Sequence, residues 1–133
     1  MKTLQFLLVL LGGLFPCVLN AGVTEDIYFS HIGLKEGLSH STVFAINQDK
    51  EGNLWFATYD GVNKYDGYNF TVYRHQYTNS SSIASDISHC IAVDDSDRIW
   101  VGTREGLSLY NHQKNAFSNY YYKKNGLNVA VTN

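Results

Sequence analysis

One internal repeat constrains this 133-residue chain more than any other feature: the stretch from Asp49 to Tyr65 returns, 45 residues on, as Asp94 to Tyr110. Five positions are identical at that single offset: Asp49/Asp94, Trp55/Trp100, Thr58/Thr103, Gly61/Gly106 and Tyr65/Tyr110. Between them Leu54/Ile99, Phe56/Val101 and Val62/Leu107 keep their apolar character. A chain that repeats at a fixed spacing builds one supersecondary unit more than once, and each unit buries its apolar side against a neighbour.

Within each unit the signals are those of short strands joined by tight turns. In the first unit, Thr42 to Gln48, Leu54 to Thr58, Val62 to Tyr65 and Asn69 to Arg74 are apolar or alternating runs. They are separated by Asp49-Lys-Glu-Gly-Asn53, Tyr59-Asp60-Gly61 and the hairpin dipeptide Asp66-Gly67. Ile87 to Val93, Ile99 to Thr103, Leu107 to Tyr110 and Ala116 to Tyr121 repeat the four strands. No segment shows a competing helical period. Four antiparallel strands and one Trp per unit, at a period of this length, predict an all-β fold of four-stranded β-propeller blades. The array is incomplete, with about two blades and the start of a third.

The expected boundaries follow. Residues 1–21 form a leader and 22–40 a leading strand, Asp26 to Ile32, followed by a Gly-punctuated loop. Residues 41–74 form a blade, 75–86 a polar crossing, and 87–121 a second blade. In 122–133, Gly126-Leu-Asn128 matches Gly37-Leu-Ser39 at two periods and opens a truncated third repeat. The consecutive apolar residues Val43 to Ile46 predict an inner strand buried on both faces. Spacing differences between the units predict a bulge and a looser outer hairpin in the second unit alone.

Met1-Lys2-Thr3, the apolar run Leu4 to Leu14, Pro16 and the small residues Asn20-Ala21-Gly22 have the layout of a secretory signal peptide. The apolar run is shorter than the roughly 20 residues of a spanning helix. Cleavage after residue 21 leaves nine Lys plus Arg against twelve Asp plus Glu. That balance favours neither nucleic acid nor an anionic-lipid surface as a partner. Only Cys90 remains after cleavage, so a disulfide framework is excluded. Its neighbours Ile91 and Val93 predict a buried strand residue.

Chemistry-bearing patterns are sparse. His31, His40, His75, His89 and His112 lack ligand spacing, and Asp94-Asp-Ser-Asp97 lacks the Gly and terminal Glu of a calcium loop, so neither a metal nor another cofactor is expected. Nucleophile-elbow, phosphate-loop and dinucleotide motifs are missing, and no catalytic residue is assigned. The repeated residues read as structural: Trp55 and Trp100 as wedges between blades, Thr58/Gly61 and Thr103/Gly106 as brackets of a fixed turn, Asp49 and Asp94 as turn caps, and Tyr65 and Tyr110 as strand aromatics. Ligand-binding candidates lie where the matching units differ, in the second-to-third-strand turns: Tyr59 and Asp60, Arg104 and Glu105. An aromatic, a cation and two carboxylates suit an acidic or neutral glycan through stacking and charge-assisted hydrogen bonds.

The strings Gly37-Leu-Ser39, Ile46-Asn-Gln-Asp49, Gly52-Asn-Leu-Trp-Phe-Ala-Thr58 and Gly61-Val-Asn-Lys-Tyr-Asp-Gly67, answered by Ile91-Ala-Val-Asp94, Ile99-Trp-Val-Gly-Thr103 and Gly106-Leu-Ser-Leu-Tyr110, resemble the two-component-regulator propeller repeat across roughly residues 27 to 121. The resemblance implies the N-terminal part of a periplasmic sensor propeller, in a parent anchored in the inner membrane and ending in a histidine kinase. Such hybrid sensors respond to glycan fragments and control polysaccharide-utilisation genes. The implied partners are a glycan or oligosaccharide, the remaining blades and a second copy of the parent, with nucleic acid excluded for this segment. By itself the segment is read as non-enzymatic. Two other readings stay open: the same propeller fused to a diguanylate cyclase, and a secreted carbohydrate-active propeller enzyme.

Overall fold

The computed structural model describes residues 27–121 and, as backbone, the strand at 130–132. The leader, residues 1–21, and positions 122–129 of the third-repeat segment lie outside the described residues. Residues 27–30 belong to a separate unit, Met1–Ser30, and have no regular structure. Both blades lie within the unit His31–Asn133. The strand expected over Asp26 to Ile32 is not formed at residues 27–32. Alternation alone makes no strand unless a partner satisfies its backbone, and the first sheet is already complete from Val43 onward. The loop that follows contains one 3-10 turn, Leu34–Glu36, closed by Gly37 at φ 111.

Strands β1 (Val43–Gln48), β2 (Leu54–Thr58), β3 (Val62–Tyr65) and β4 (Phe70–Tyr73) form one sheet in that order. Strands β5 (Ser88–Val93), β6 (Ile99–Thr103), β7 (Leu107–Asn111) and β8 (Ala116–Tyr121) form the second. Every neighbouring pair is antiparallel. The strands expected within the two blades are all present, with ends differing by about one residue, within the ordinary spread of such boundaries. A ninth strand, β9 (Ala130–Thr132), pairs with the outer edge of β8 through Asn119↔Thr132 and Tyr121↔Ala130. This part of the expected third repeat therefore extends the second sheet, as an open edge invites.

Two expectations about irregularity are corrected. The bulge occurs in both blades, between Val43 and Ala45 in β1 and between Ser88 and Cys90 in β5, so the repeat offset is never broken there. The outer hairpin of the second blade is longer rather than looser: one further ladder pair, Asn111↔Ala116, precedes a turn that spans residues 112–115. In the first blade Tyr65↔Phe70 is the last pair, around residues 66–69.

Strand alternation decides which side chains meet between the blades. Trp55 and Ala57 of β2, with Val62 of β3, face the second sheet, which presents Ile91, Ile99, Val101, Tyr110 and Phe117. Phe56 points to the opposite side of the first sheet, where it contacts Phe70 at 5.8 Å. Burying large apolar side chains such as Trp55, Ile99, Val62 and Val101 contributes about 1.5–3 kcal/mol each. The exposed Arg74–Asp60 pair contributes about 0–1 kcal/mol, so apolar packing dominates blade cohesion.

The crossing at 75–86 is not uniformly polar. Ser82, Ile83, Ala84 and Ser85 are buried, and Ile83 belongs to the inter-blade core. Ile83 stands 45 residues after the buried Leu38, so the crossing ends in a structural segment of the next repeat. The inner strand is not buried on both faces either: Phe44 is 45% and Ile46 59% exposed. Cys90 is also exposed, because the bulge at β5 turns both His89 and Cys90 outward while Ile91 stays in the core.

Candidate functional site

The repeated residues bond to one another within each blade. Asp49 Oδ1 accepts the backbone N–H of Asn53 at 2.8 Å, which caps the β1–β2 turn, and Oδ2 accepts the indole N–H of Trp55 at 2.8 Å. Asp94 does the same with Arg98 at 3.0 Å and Trp100 at 3.0 Å. Burial pushes the Asp49 carboxyl up, but the bonds from Trp55 and Asn53 outweigh it and hold the group below its ordinary range. Asp94 is likewise held low by the Trp100 bond and then by the Arg98 backbone N–H. The capping role was legible in the sequence; the indole bond, which explains the fixed Asp-to-Trp spacing, was not.

Thr58 and Gly61 close the β2–β3 turn through Thr58 N–H to Gly61 O at 3.1 Å and Thr58 Oγ1 to the same oxygen at 2.9 Å. Thr103 and Gly106 repeat both bonds at 2.8 Å. Gly61 adopts φ 88, and a Cβ there would collide with the Tyr73 carbonyl oxygen. The neighbouring polar network escaped the sequence reading. Asn63 Oδ1 accepts the Ser39 N–H at 2.9 Å, and at the equivalent site Ser108 Oγ accepts the Ala84 N–H at 3.1 Å. Its signal was two polar residues at one repeat position inside apolar strands.

Tyr110 packs on Trp55 at 4.9 Å, and its hydroxyl meets that of Tyr73 at 3.0 Å, with both donating to Asn115. Burial and then the Tyr110 bond push the Tyr73 hydroxyl well above the usual phenol range. Tyr65, at the matching position of the first blade, instead donates to Gly67 O at 2.7 Å. Trp55 is fully buried between the blades, whereas Trp100 is half-buried beside Tyr120 at 6.0 Å. The wedge role therefore holds for Trp55 within the described residues, while Trp100 faces away from the first blade.

The ligand candidates occupy the turns that leave one end of the two sheets. Tyr59 is 52% exposed, and its ring lies 5.6 Å from His40 and 6.4 Å from Phe44. Asp60 is engaged by Arg74 through two bonds of 2.9 and 2.8 Å, which hold its carboxyl low. The backbone N–H of Arg104 donates to Ile87 O at 2.9 Å, while the Arg104 and Glu105 side chains are exposed. The crossing reaches the same end, where Asp86 O accepts the Gly61 N–H at 2.6 Å. Topology thus brings the four candidates to one end, but Asp60 is committed to Arg74 and Arg104 makes no side-chain bond among the described residues. Sequence reading missed His40, Phe44 and His89, which join Tyr59 there. Among the described residues no three His, Cys, Asp or Glu side chains gather as metal ligands do, and no helix is long and apolar enough to cross a membrane.

Two antiparallel sheets, each built on four repeated strands and the second extended by β9, packed face to face and each pinned by the same Asp–Trp bond, are consecutive blades of a β-propeller. The family model of the two component regulator propeller matches residues 37–60 and 81–105 of the chain. Those matches begin in the segments that carry Leu38 and Ile83, in agreement with the repeat boundary seen in the packing. Over 81 residues, 49% of this chain, it is 38% identical to histidine kinase P4 of Formosa agariphila. It is also similar to the extracellular domain of BT3049 from B. thetaiotaomicron, described as a hybrid two component system, at 37% identity over 78% of this chain with a TM-score of 0.67. The extracellular domain of BT4673, described as a one component system from the same organism, shares the fold at 19% identity over 71% of this chain, with a TM-score of 0.57. The chain spans 6% of the kinase and 15% and 13% of the two solved chains.

Proposed function

We propose that these blades belong to the ligand-sensing propeller of a hybrid two-component sensor histidine kinase, exported by the leader at residues 1–21 and placed in the periplasm by an inner-membrane anchor in the parent. The observation that carries this reading is the similarity to a hybrid-system extracellular domain over 78% of the chain, with two family repeats in register. The blades act as a rigid scaffold whose strand ladders, with the Thr58–Gly61 and Thr103–Gly106 bonds, fix the turns that carry Tyr59, Asp60, Arg104 and Glu105. A glycan fragment held at that end shifts the parent between signalling states to the extent that it binds one state more tightly than the other. The output is phosphotransfer that controls carbohydrate-utilisation genes, and the kinase chemistry resides in the parent rather than in these blades.

The test is autophosphorylation from labelled ATP in membranes that carry the full-length protein, with and without a panel of oligosaccharides. The expected result is phosphorylation whose level changes with at least one saccharide. Phosphorylation indifferent to every saccharide, or no phosphorylation at all, overturns the reading.

A further inference from the structure

The bulges in β1 and β5 fall at the same repeat position, and the residues they carry are Phe44 and His89. A bulge re-aims a side chain while the flanking ladder continues. Here it brings the two rings edge to face across the blades at 5.2 Å. Tyr59 lies 6.4 Å from Phe44 and 5.6 Å from His40, so the first blade shows a wall of three rings at this end. Phe44 and Tyr59 are both exposed large apolar side chains. Neighbouring rings left open together mark a binding surface more often than scattered ones do.

The second blade keeps the frame and changes the chemistry. The Tyr59 N–H donates to Thr42 O at 3.4 Å and the Arg104 N–H to Ile87 O at 2.9 Å, so the Arg104 backbone stands to His89 as the Tyr59 backbone stands to Phe44. At these positions the backbone device is repeated and the side chains are not: a phenyl ring and a phenol on one blade, an imidazole and a guanidinium on the next. Structure alone would fix both, as it does for Asp49/Asp94 and Trp55/Trp100. The Arg104 guanidinium has no carboxylate partner among the described residues, whereas Arg74 is held by Asp60 through two bonds. Of the nearby carboxylates, Asp60 is neutralised by Arg74 and Asp86 accepts the His75 N–H, which leaves Glu105 exposed.

We infer that Phe44, Tyr59, His40, His89 and Arg104 form a platform that binds a sugar ring carrying a carboxylate, an inference that rests on the ligand-sensing function above. The rings take the C–H face of the sugar, Arg104 takes the carboxylate through a charge-assisted, bidentate bond, and the imidazoles meet ring hydroxyls. Arg is suited to this because its planar fork matches a carboxylate in a way that a point charge does not.

The experiment is calorimetric titration of the full-length protein in detergent with trigalacturonate and with its methyl ester, which keeps the rings and removes the charge. The acid is expected to bind at least tenfold more tightly than the ester. Arg104→Gln should bring the acid down to the level of the ester, and Phe44→Ala should weaken both about tenfold. Arg98→Gln, at the other end of the second blade, should change neither, and circular dichroism of each variant should match the parent. Equal affinity for acid and ester, no binding of either, or unchanged binding in both Phe44→Ala and Arg104→Gln overturns the platform. A saccharide that alters autophosphorylation while trigalacturonate fails to bind leaves the sensing function standing and removes only the platform. Phosphorylation indifferent to every saccharide removes the sensing function that the platform rests on.

Discussion

The indole N–H of Trp55 donates to Asp49 Oδ2 at 2.8 Å, so the largest side chain of the inter-blade core has its one polar atom satisfied by the residue that also caps the preceding turn. Left unpaired in that buried place, the N–H would cost about 1–3 kcal/mol. The bond therefore couples turn geometry to blade packing. Its repetition between Trp100 and Asp94 makes it a device common to both blades.

The two tryptophans should differ in accessibility. In residues 22–133, Trp55 lies under Tyr73 and Tyr110, while Trp100 faces away from the first blade. Acrylamide quenching of Trp100→Phe, which leaves only Trp55, should be shallow, and quenching of Trp55→Phe should be steeper. Equal slopes would count against this packing.

Gly61 and Gly67 both have positive φ, yet only Gly61 is also closed in sterically. A Cβ at Gly61 meets the Tyr73 carbonyl oxygen, whereas one at Gly67 meets nothing within 4 Å. Gly67→Ala should cost about 1–2 kcal/mol, the cost of the left-handed backbone alone. Gly61→Ala should cost clearly more, since the β4 backbone must also move. Urea denaturation of the parent ectodomain measures both, and equal midpoints would contradict the close approach.

Acid should weaken the blades through Asp49. The bonds from Trp55 and Asn53 hold its folded-state carboxyl below the ordinary carboxylate range, so its contribution is present above that range and is lost as pH falls through the lower folded value. Asp49→Asn should be less stable than the parent ectodomain at neutral pH and should lose less stability below about pH 4. The acid loss should shrink without vanishing, because Asp60, Asp66 and Asp94 are also held low. Denaturant midpoints from pH 7 down to about pH 2 test this, and identical acid slopes for the two proteins would sink it.

The sequence by itself determined the repeat, its period, the strands and the all-β blade architecture, because strand alternation and turn chemistry are local and the offset of 45 between Trp55 and Trp100 is visible without coordinates. It also placed Tyr59, Asp60, Arg104 and Glu105 at one end, since turn order in an antiparallel sheet fixes which loops share a side. Tertiary structure decided what depends on a second sheet or on one irregular residue. The bulges at Phe44 and His89 turned two rings toward each other and put Cys90 in solvent, although its apolar neighbours suggested burial. Packing drew Ile83 out of a polar-looking crossing into the core. Asp60 found its partner in Arg74, 14 residues away, while Arg104 was left without one among the described residues. Distances between side chains on different strands are set by register and packing rather than by sequence spacing, and for that reason the ring platform emerged only in three dimensions.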